Sequence, residues 1–408
     1  MDEIRKEFLK SENGRKWFIN KLTEKTNPLS KVFILDLKDR VQESNTPYKF
    51  CKHCIKKTNI KNKHILIVSN LEWVECLLKQ KIDLNKITLI IDSKVAYDIA
   101  TKIYNLKNVY VYQNLNDIKD IIKKMKNKKF DVIFSNPPYE GTLHLDIISQ
   151  LYHISDEILA IQPQNWALDT KGVYKNWDIF KNKINGKVKS LETFKANLEF
   201  NIPGNFHKIG ITHIDKYHTG PINCNYYGDE YLATNFSEVT KFGSHWNNIK
   251  NCFVKQINSI PHQKLTDFIL PKNYNINKSK IYCQIARILG TPSYDDFNER
   301  YDFYTLTTKN PKDCIGIRKP DLHTFEFNKL KEAENFVSYL ATDFVRFCLA
   351  IYKIDQNVGK NEMKLIPWMD FTRKWTDEDL YKCFKIPQET IDYITNYLPD
   401  YFNLRGKK

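Results

Sequence analysis

Residues 130–139 read Phe-Asp-Val-Ile-Phe-Ser-Asn-Pro-Pro-Tyr. The first six form a short, nearly continuous apolar run, the pattern of a strand covered on both faces. The last four stop it, because Pro137 and Pro138 each fix φ and offer no backbone N–H. A helical stretch, LHLDIISQLYHIS at 143–155, follows at once. Working outward, the same strand-then-helix rhythm recurs on both sides. Upstream, HILIVS (64–69) precedes LEWVECLLKQ, ITLIID (87–92) precedes VAYDIATKIYN, and VYVYQ (109–113) precedes DIKDIIKKMKN. Downstream stand EILAIQP (157–163) and KIGITHI (208–214). A helix YKFCKHCIKKTN opens the series, with Thr46 as its N-cap and Pro47 preset for its first turn. Strands alternating with helices predict an α/β domain, a doubly wound Rossmann-like parallel sheet. Such sheets bind ligands outside the carboxyl ends of their strands, where the strand order reverses. The candidate residues on the parallel strands lie at those ends.

Asn136 and its neighbours carry a specific chemistry. An exocyclic adenine amine is a poor nucleophile because its lone pair is delocalised into the ring. An enzyme that alkylates it has to place acceptors against its N–H bonds. The Asn136 side-chain oxygen supplies one and the Pro137 carbonyl another, and the pair aims the nitrogen lone pair without a charged base. Tyr139 offers an aromatic face on which an extracted base can stack, worth about 1–3 kcal/mol. The same four residues also read as a plain strand-ending turn, since Asn-Pro and Pro-Pro punctuate loops. Their position after an apolar strand, in the fourth βα unit, favours the site.

The order of motifs resembles that of adenine-N6 DNA methyltransferases of the gamma arrangement, including restriction-modification and phage-borne types. In that family a TP-containing helix comes first, then the cofactor unit, then [DNS]PPY, then a target-recognition domain. Here TPYKFCKHCI, HILIVSN, ITLIID and FDVIFSNPPYEG occur in that sequence, over roughly residues 40 to 220. The resemblance implies a Rossmann-like methyltransferase sheet, S-adenosyl-L-methionine as methyl donor, and an adenine flipped out of double-stranded DNA as substrate. It makes Asn136, Pro137, Pro138 and Tyr139 catalytic. It also implies an aromatic residue on the far face of the base, for which Phe206 is the first choice and Phe200 the alternative; either is equally a core phenylalanine at a strand start. The segment IPWMDFTRKWTDEDLYKCF (366–384) resembles a stretch near the C-terminus of such enzymes and carries no assignable chemistry.

For the cofactor, the resemblance points to Thr46 and Pro47 over the amino-acid end and, at the third strand, to the position of Asn114, which replaces the acidic or polar residue common near the adenine. Asp92, ending the second strand, is placed to accept hydrogen bonds from both ribose hydroxyls, or to cap the helix that follows. The turn after the first strand departs from the family. It reads IVSNLEW with no GxG, so Ser69, Asn70 and Glu72 stand where glycines and small residues are expected, with Asn70 and Glu72 as candidate acceptors for the donor's ammonium.

Bulk properties bound the rest. At 408 residues the chain is too long for one core. We expect an N-terminal helical segment (1–45), a methyltransferase domain (46–235), and a mixed α+β target-recognition and DNA-binding domain with a helical tail (236–408). The alternation is lost after about residue 235, where aromatic and basic residues interleave. Sixty-three Lys and Arg against forty-eight Asp and Glu leave a charge of +15, which makes a polyanion the first partner to consider. A Lys-rich surface from an AT-rich gene would give the same balance. Arg287, Arg318 and Lys319 are candidate phosphate contacts, equally readable as ordinary surface charges. Nine scattered cysteines are no disulfide framework, and the Cys51/Cys54 pair has no second pair at zinc spacing, so no metal is expected. With no signal-like or membrane-spanning run, the expectation is a cytoplasmic monomer in a bacterial or virus-infected cell, with a restriction nuclease as a possible separate partner. No nuclease motif stands out. Two other readings stay open: a DNA-binding module whose cofactor turn has decayed, and an RNA adenine-N6 methyltransferase.

Overall fold

The computed structural model describes residues 46, 48–68, 71–92, 94–168, 175–194, 209–226, 228–240, 243–286, 306, 308, 310–316, 323–353 and 358–397. They fall into two compact units that divide between Gly243 and Ser244.

The first unit is built on a nine-stranded sheet. Its strands are β1 (Ile65–Val68), β2 (Ile87–Ile91), β3 (Asn108–Val111), β4 (Phe130–Ser135), β5 (Ser155–Pro163), β6 (Val188–Thr193), β7 (Ile209–Asp215), β8 (Ile222–Tyr226) and β9 (Asp229–Ala233). The order across the sheet is β3-β2-β1-β4-β5-β7-β6-β8-β9. From β3 to β5 all pairs are parallel; β7 runs antiparallel between β5 and β6. The chain winds outward from β1 to β3, then crosses back to β4 and β5. The order therefore reverses between β1 and β4.

The helices are α1 (Tyr48–Lys56), α2 (Leu71–Lys79), α3 (Lys94–Asp98, continued by a wider turn over Ile99–Ile103), α4 (Leu115–Lys124), α5 (Leu143–Ile154) and α6 (Lys175–Lys183). They cover both faces of the sheet, as the continuous apolar strands require. Ile65 and Ile67 of β1 pack in one layer with Phe50, Trp73 and Ile99. Leu66 and Val68 pack in the other with Ile118, Leu145, Ile148 and Phe180. Period-two alternation thus divides one apolar run between two cores. Gly210 in β7 is required by crowding, since a Cβ there would stand 1.9 Å from the Glu192 carbonyl oxygen. The strands from β1 to β5 were visible in the sequence, as was β7; β6, β8 and β9 were not.

The second unit joins α7 (Trp246–Ser259), an antiparallel ribbon of β10 (Ile281–Ile285) and β11 (His323–Phe327), and helices α8 (Leu330–Leu340), α9 (Asp343–Tyr352), α10 (Lys360–Met363), α11 (Asp377–Cys383) and α12 (Gln388–Asp392). Its core is aromatic. Fully buried Phe336 lies within 5.0–5.7 Å, centroid to centroid, of Phe325, Phe327, Trp368 and Phe371. Trp368 in turn stacks on Phe268 at 4.0 Å. The segment 366–384 is thereby explained by packing: Trp368 and Phe371 close this core, and Thr376 starts α11 in a capping box with Asp379. No described helix is long and apolar enough to cross a membrane.

Candidate active site

The carboxyl end of β4 lies beside that of β1, where the strand order reverses. Ser135 pairs with Val68, and one residue further the Asn136 N–H still donates to the Val68 carbonyl at 3.0 Å. The first residue of the NPPY loop is thus held by the neighbouring strand β1.

The Asn136 side chain is buried, 1% exposed, and so are Pro137 and Pro138. A buried amide requires partners at both ends. Its Nδ2 donates to Thr46 Oγ1 at 2.9 Å. Its Oδ1 accepts from the Tyr139 hydroxyl, which also lies 3.1 Å from the Ile161 carbonyl of β5. Burial pushes the Tyr139 phenol well above its ordinary pKa, so the hydroxyl keeps its proton and acts as a donor. The Tyr139 ring is half-buried against the core and meets His144 of α5 edge to face at 6.1 Å. Thr46, Asn136, Tyr139 and Ile161 are thus joined by side-chain hydrogen bonds. The sequence reading named the first three without linking them; it missed the Ile161 carbonyl and His144.

Thr46 is fully buried just before α1, with its hydroxyl on Asn136. Two carboxylates dock that helix and the residues after it on the sheet. Glu157 of β5 accepts from the Thr58 hydroxyl, meets His213 Nε2 at 2.7 Å, and has Lys63 Nζ at 3.6 Å. Glu192 of β6 takes His53 Nε2 at 2.7 Å and Lys57. Burial works to raise the Glu157 carboxyl, but the hydrogen bonds from His213 and Thr58 outweigh it and hold the group below its usual range. A carboxylate depressed by folding stabilises the protein above its unfolded pKa of about 4.3 and loses that contribution as pH falls through the lower folded value. Acidification below about pH 4.3 should therefore lower the thermal midpoint, and Glu157→Gln should flatten that dependence. An unchanged slope would show that the docking carboxylate contributes nothing to it.

Of the other cofactor candidates, Glu72 lies in the first turn of α2, 1% exposed. Asp92 is half-buried at the end of β2, close enough to Tyr112 to help burial raise that phenol. Asn114 serves the helix beside it. Its Oδ1 accepts the N–H groups of Asn116 and Asp117, capping α4, while Asp117 returns two bonds to the backbone of Gln113 and Asn114. Those bonds hold the Asp117 carboxyl below its usual range. Cys51 and Cys54 face the core of α1, both fully buried. Among the described residues no group of three or more His, Cys, Asp or Glu is arranged to hold a metal ion. Pro47, Ser69, Asn70, Phe200, Phe206, Arg287, Arg318 and Lys319, with the segment 1–45, lie outside the described residues.

No family model matches the sequence, and no match is found among curated proteins. Among solved structures the chain is similar to the type IIG restriction endonuclease BpuSI, with 8% identity over 89% of this chain and 67% of that one and a TM-score of 0.37. It is similar to the type IIL restriction-modification enzyme MmeI in complex with DNA, with 9% identity over 95% and 76% and a TM-score of 0.31. A dimethyladenosine transferase from Plasmodium falciparum shares 16% identity over 42% of this chain and 63% of that one, at a TM-score of 0.29.

Proposed function

We propose that this chain transfers a methyl group from S-adenosylmethionine to the N6 amine of an adenine flipped out of duplex DNA. The observation that carries the reading is the buried Asn136 amide, held at both ends at the point where the strand order reverses. A site that polarises an amine needs a fixed acceptor, and a fixed acceptor costs no reorganisation when the reaction occurs.

Asn136 Oδ1 and the Pro137 carbonyl accept the amine's two N–H bonds, which turns the nitrogen lone pair toward the methyl donor. Tyr139 contributes its ring to hold the base, and Phe206 is proposed for the opposite face. Extraction of the base costs a few kcal/mol, offset by stacking and backbone contacts. When bound, S-adenosylmethionine supplies an electrophilic methyl group on a sulfonium centre. The residues present suit that group: Asp92, half-buried after β2, is the proposed acceptor for the ribose diol, and the buried Glu72 carboxylate in the first turn of α2 is the proposed partner of the ammonium. Pro47, Ser69, Asn70 and Asn114 complete the proposed cofactor set, Asn114 through its backbone because its side chain caps α4. The chain's excess of positive charge suits a polyanion, and the second unit is proposed as the target-recognition domain.

Two measurements test this. Purified protein supplied with donor carrying a labelled methyl group should label duplex DNA in preference to RNA and to protein; preferential labelling of structured RNA would move the substrate, and no labelling would favour a binding module without activity. Asp92→Ala should weaken donor binding about 10- to 100-fold by calorimetry, the loss of one charge-assisted hydrogen-bond set. Unchanged affinity would remove Asp92 from the site.

A further inference from the structure

The family resemblance puts Thr46 over the amino-acid end of the cofactor. The geometry points elsewhere: we propose that Thr46 is a positioning residue for Asn136, anchoring its buried amide so that the side-chain oxygen is held beside Tyr139 for the incoming amine. This rests on the methyl-transfer reading above.

Apolar packing fixes the place of a carboxamide but not the turn of its plane, which a hydrogen bond of set distance and angle does. Thr46 Oγ1, fully buried, accepts from Nδ2 at 2.9 Å and leaves Oδ1 on the side of Tyr139. The Tyr139 hydroxyl then has a matching role. It carries one hydrogen and lies within reach of two acceptors, Asn136 Oδ1 and the Ile161 carbonyl at 3.1 Å. When the amine takes Oδ1, the hydroxyl keeps the Ile161 carbonyl. Arrival of the base exchanges one hydrogen bond for another and leaves no buried donor unsatisfied, the outcome that would otherwise cost about 1–3 kcal/mol. Glu192 docks α1 through His53, and Glu157 docks the residues after it through Thr58, so the helix that follows Thr46 is tied to the sheet.

The test compares Thr46→Val, which keeps the shape and loses the hydroxyl, with Thr46→Ser, which keeps the hydroxyl. Expected for Thr46→Val are an unchanged Kd for S-adenosylmethionine and a single-turnover transfer rate about 10- to 100-fold lower at saturating donor; Thr46→Ser should recover the rate. A raised Kd with an unchanged rate would overturn the proposal and return Thr46 to the cofactor. A thermal-unfolding cycle reads the pair without any turnover. Thr46→Val and Asn136→Ala should be non-additive in Tm, whereas additive losses would overturn the pairing. Wild-type protein that methylates no adenine would instead defeat the methyl-transfer reading, and the two failures are distinguishable.

Discussion

Asn136→Ala should lower the single-turnover rate of methyl transfer to adenine about 10³-fold, the scale on which removal of one preorganised polar group acts. The amide oxygen is the acceptor proposed for the amine's N–H bond; Thr46 lies on its Nδ2 side and Tyr139 carries a donor. Donor affinity should be kept, because the residues proposed for the donor, Asp92 after β2 and Glu72 in α2, are untouched. The fold should survive as well. Truncation removes the Nδ2 bond to Thr46 at a cost of about 1–3 kcal/mol, while Tyr139 retains the Ile161 carbonyl. Asn136→Asp separates acceptor from donor. It keeps an accepting oxygen and loses the Nδ2 bond, so its rate should fall about 10-fold. An alanine variant that transfers methyl at the wild-type rate would leave the NPPY loop as a turn and nothing more.

The largest expected loss of stability lies in the second unit. Phe336→Ala should destabilise it by about 3–5 kcal/mol, the cost of deleting a fully buried ring and leaving its cavity. Phe325, Phe327, Trp368 and Phe371 all pack on this side chain, and Trp368 and Phe371 belong to the one segment of the sequence that resembled a family stretch without showing any chemistry. Equilibrium denaturation followed by tryptophan fluorescence reads the change. A loss below about 1 kcal/mol would mean that the aromatic cluster is not the structural centre of this unit.

How much of this was legible beforehand depended on the kind of signal. Strands such as ITLII and FDVIFS are continuous in apolar residues because both faces are covered, and they stood out from sequence alone. β6, reading VKSLET, and β9, reading DEYLA, mix charges into their length, and charged residues such as Glu192 are kept for docking rather than for the core. Pattern reading passes over such strands. The NPPY loop was visible, but its bond to Thr46 spans ninety positions and no local rule reports it. The Tyr139 hydroxyl was also out of reach, since an aromatic after two prolines reads as a stacking face whichever way its polar end turns. Asn114 was legible and passed over: Asn114-Leu-Asn-Asp117 is a capping-box spacing ahead of a helical run, and the structure uses it as one.

The most direct test of the account is the identity of the methylated nucleoside. Duplex DNA incubated with the protein and donor carrying a deuterated methyl group, then digested to nucleosides and examined by mass spectrometry, should contain N6-methyldeoxyadenosine bearing the label, and the Asn136→Ala protein should leave it at background. Label on cytosine, or on no nucleoside although donor binding is measurable, would contradict the assignment of Asn136 as the acceptor for an adenine amine.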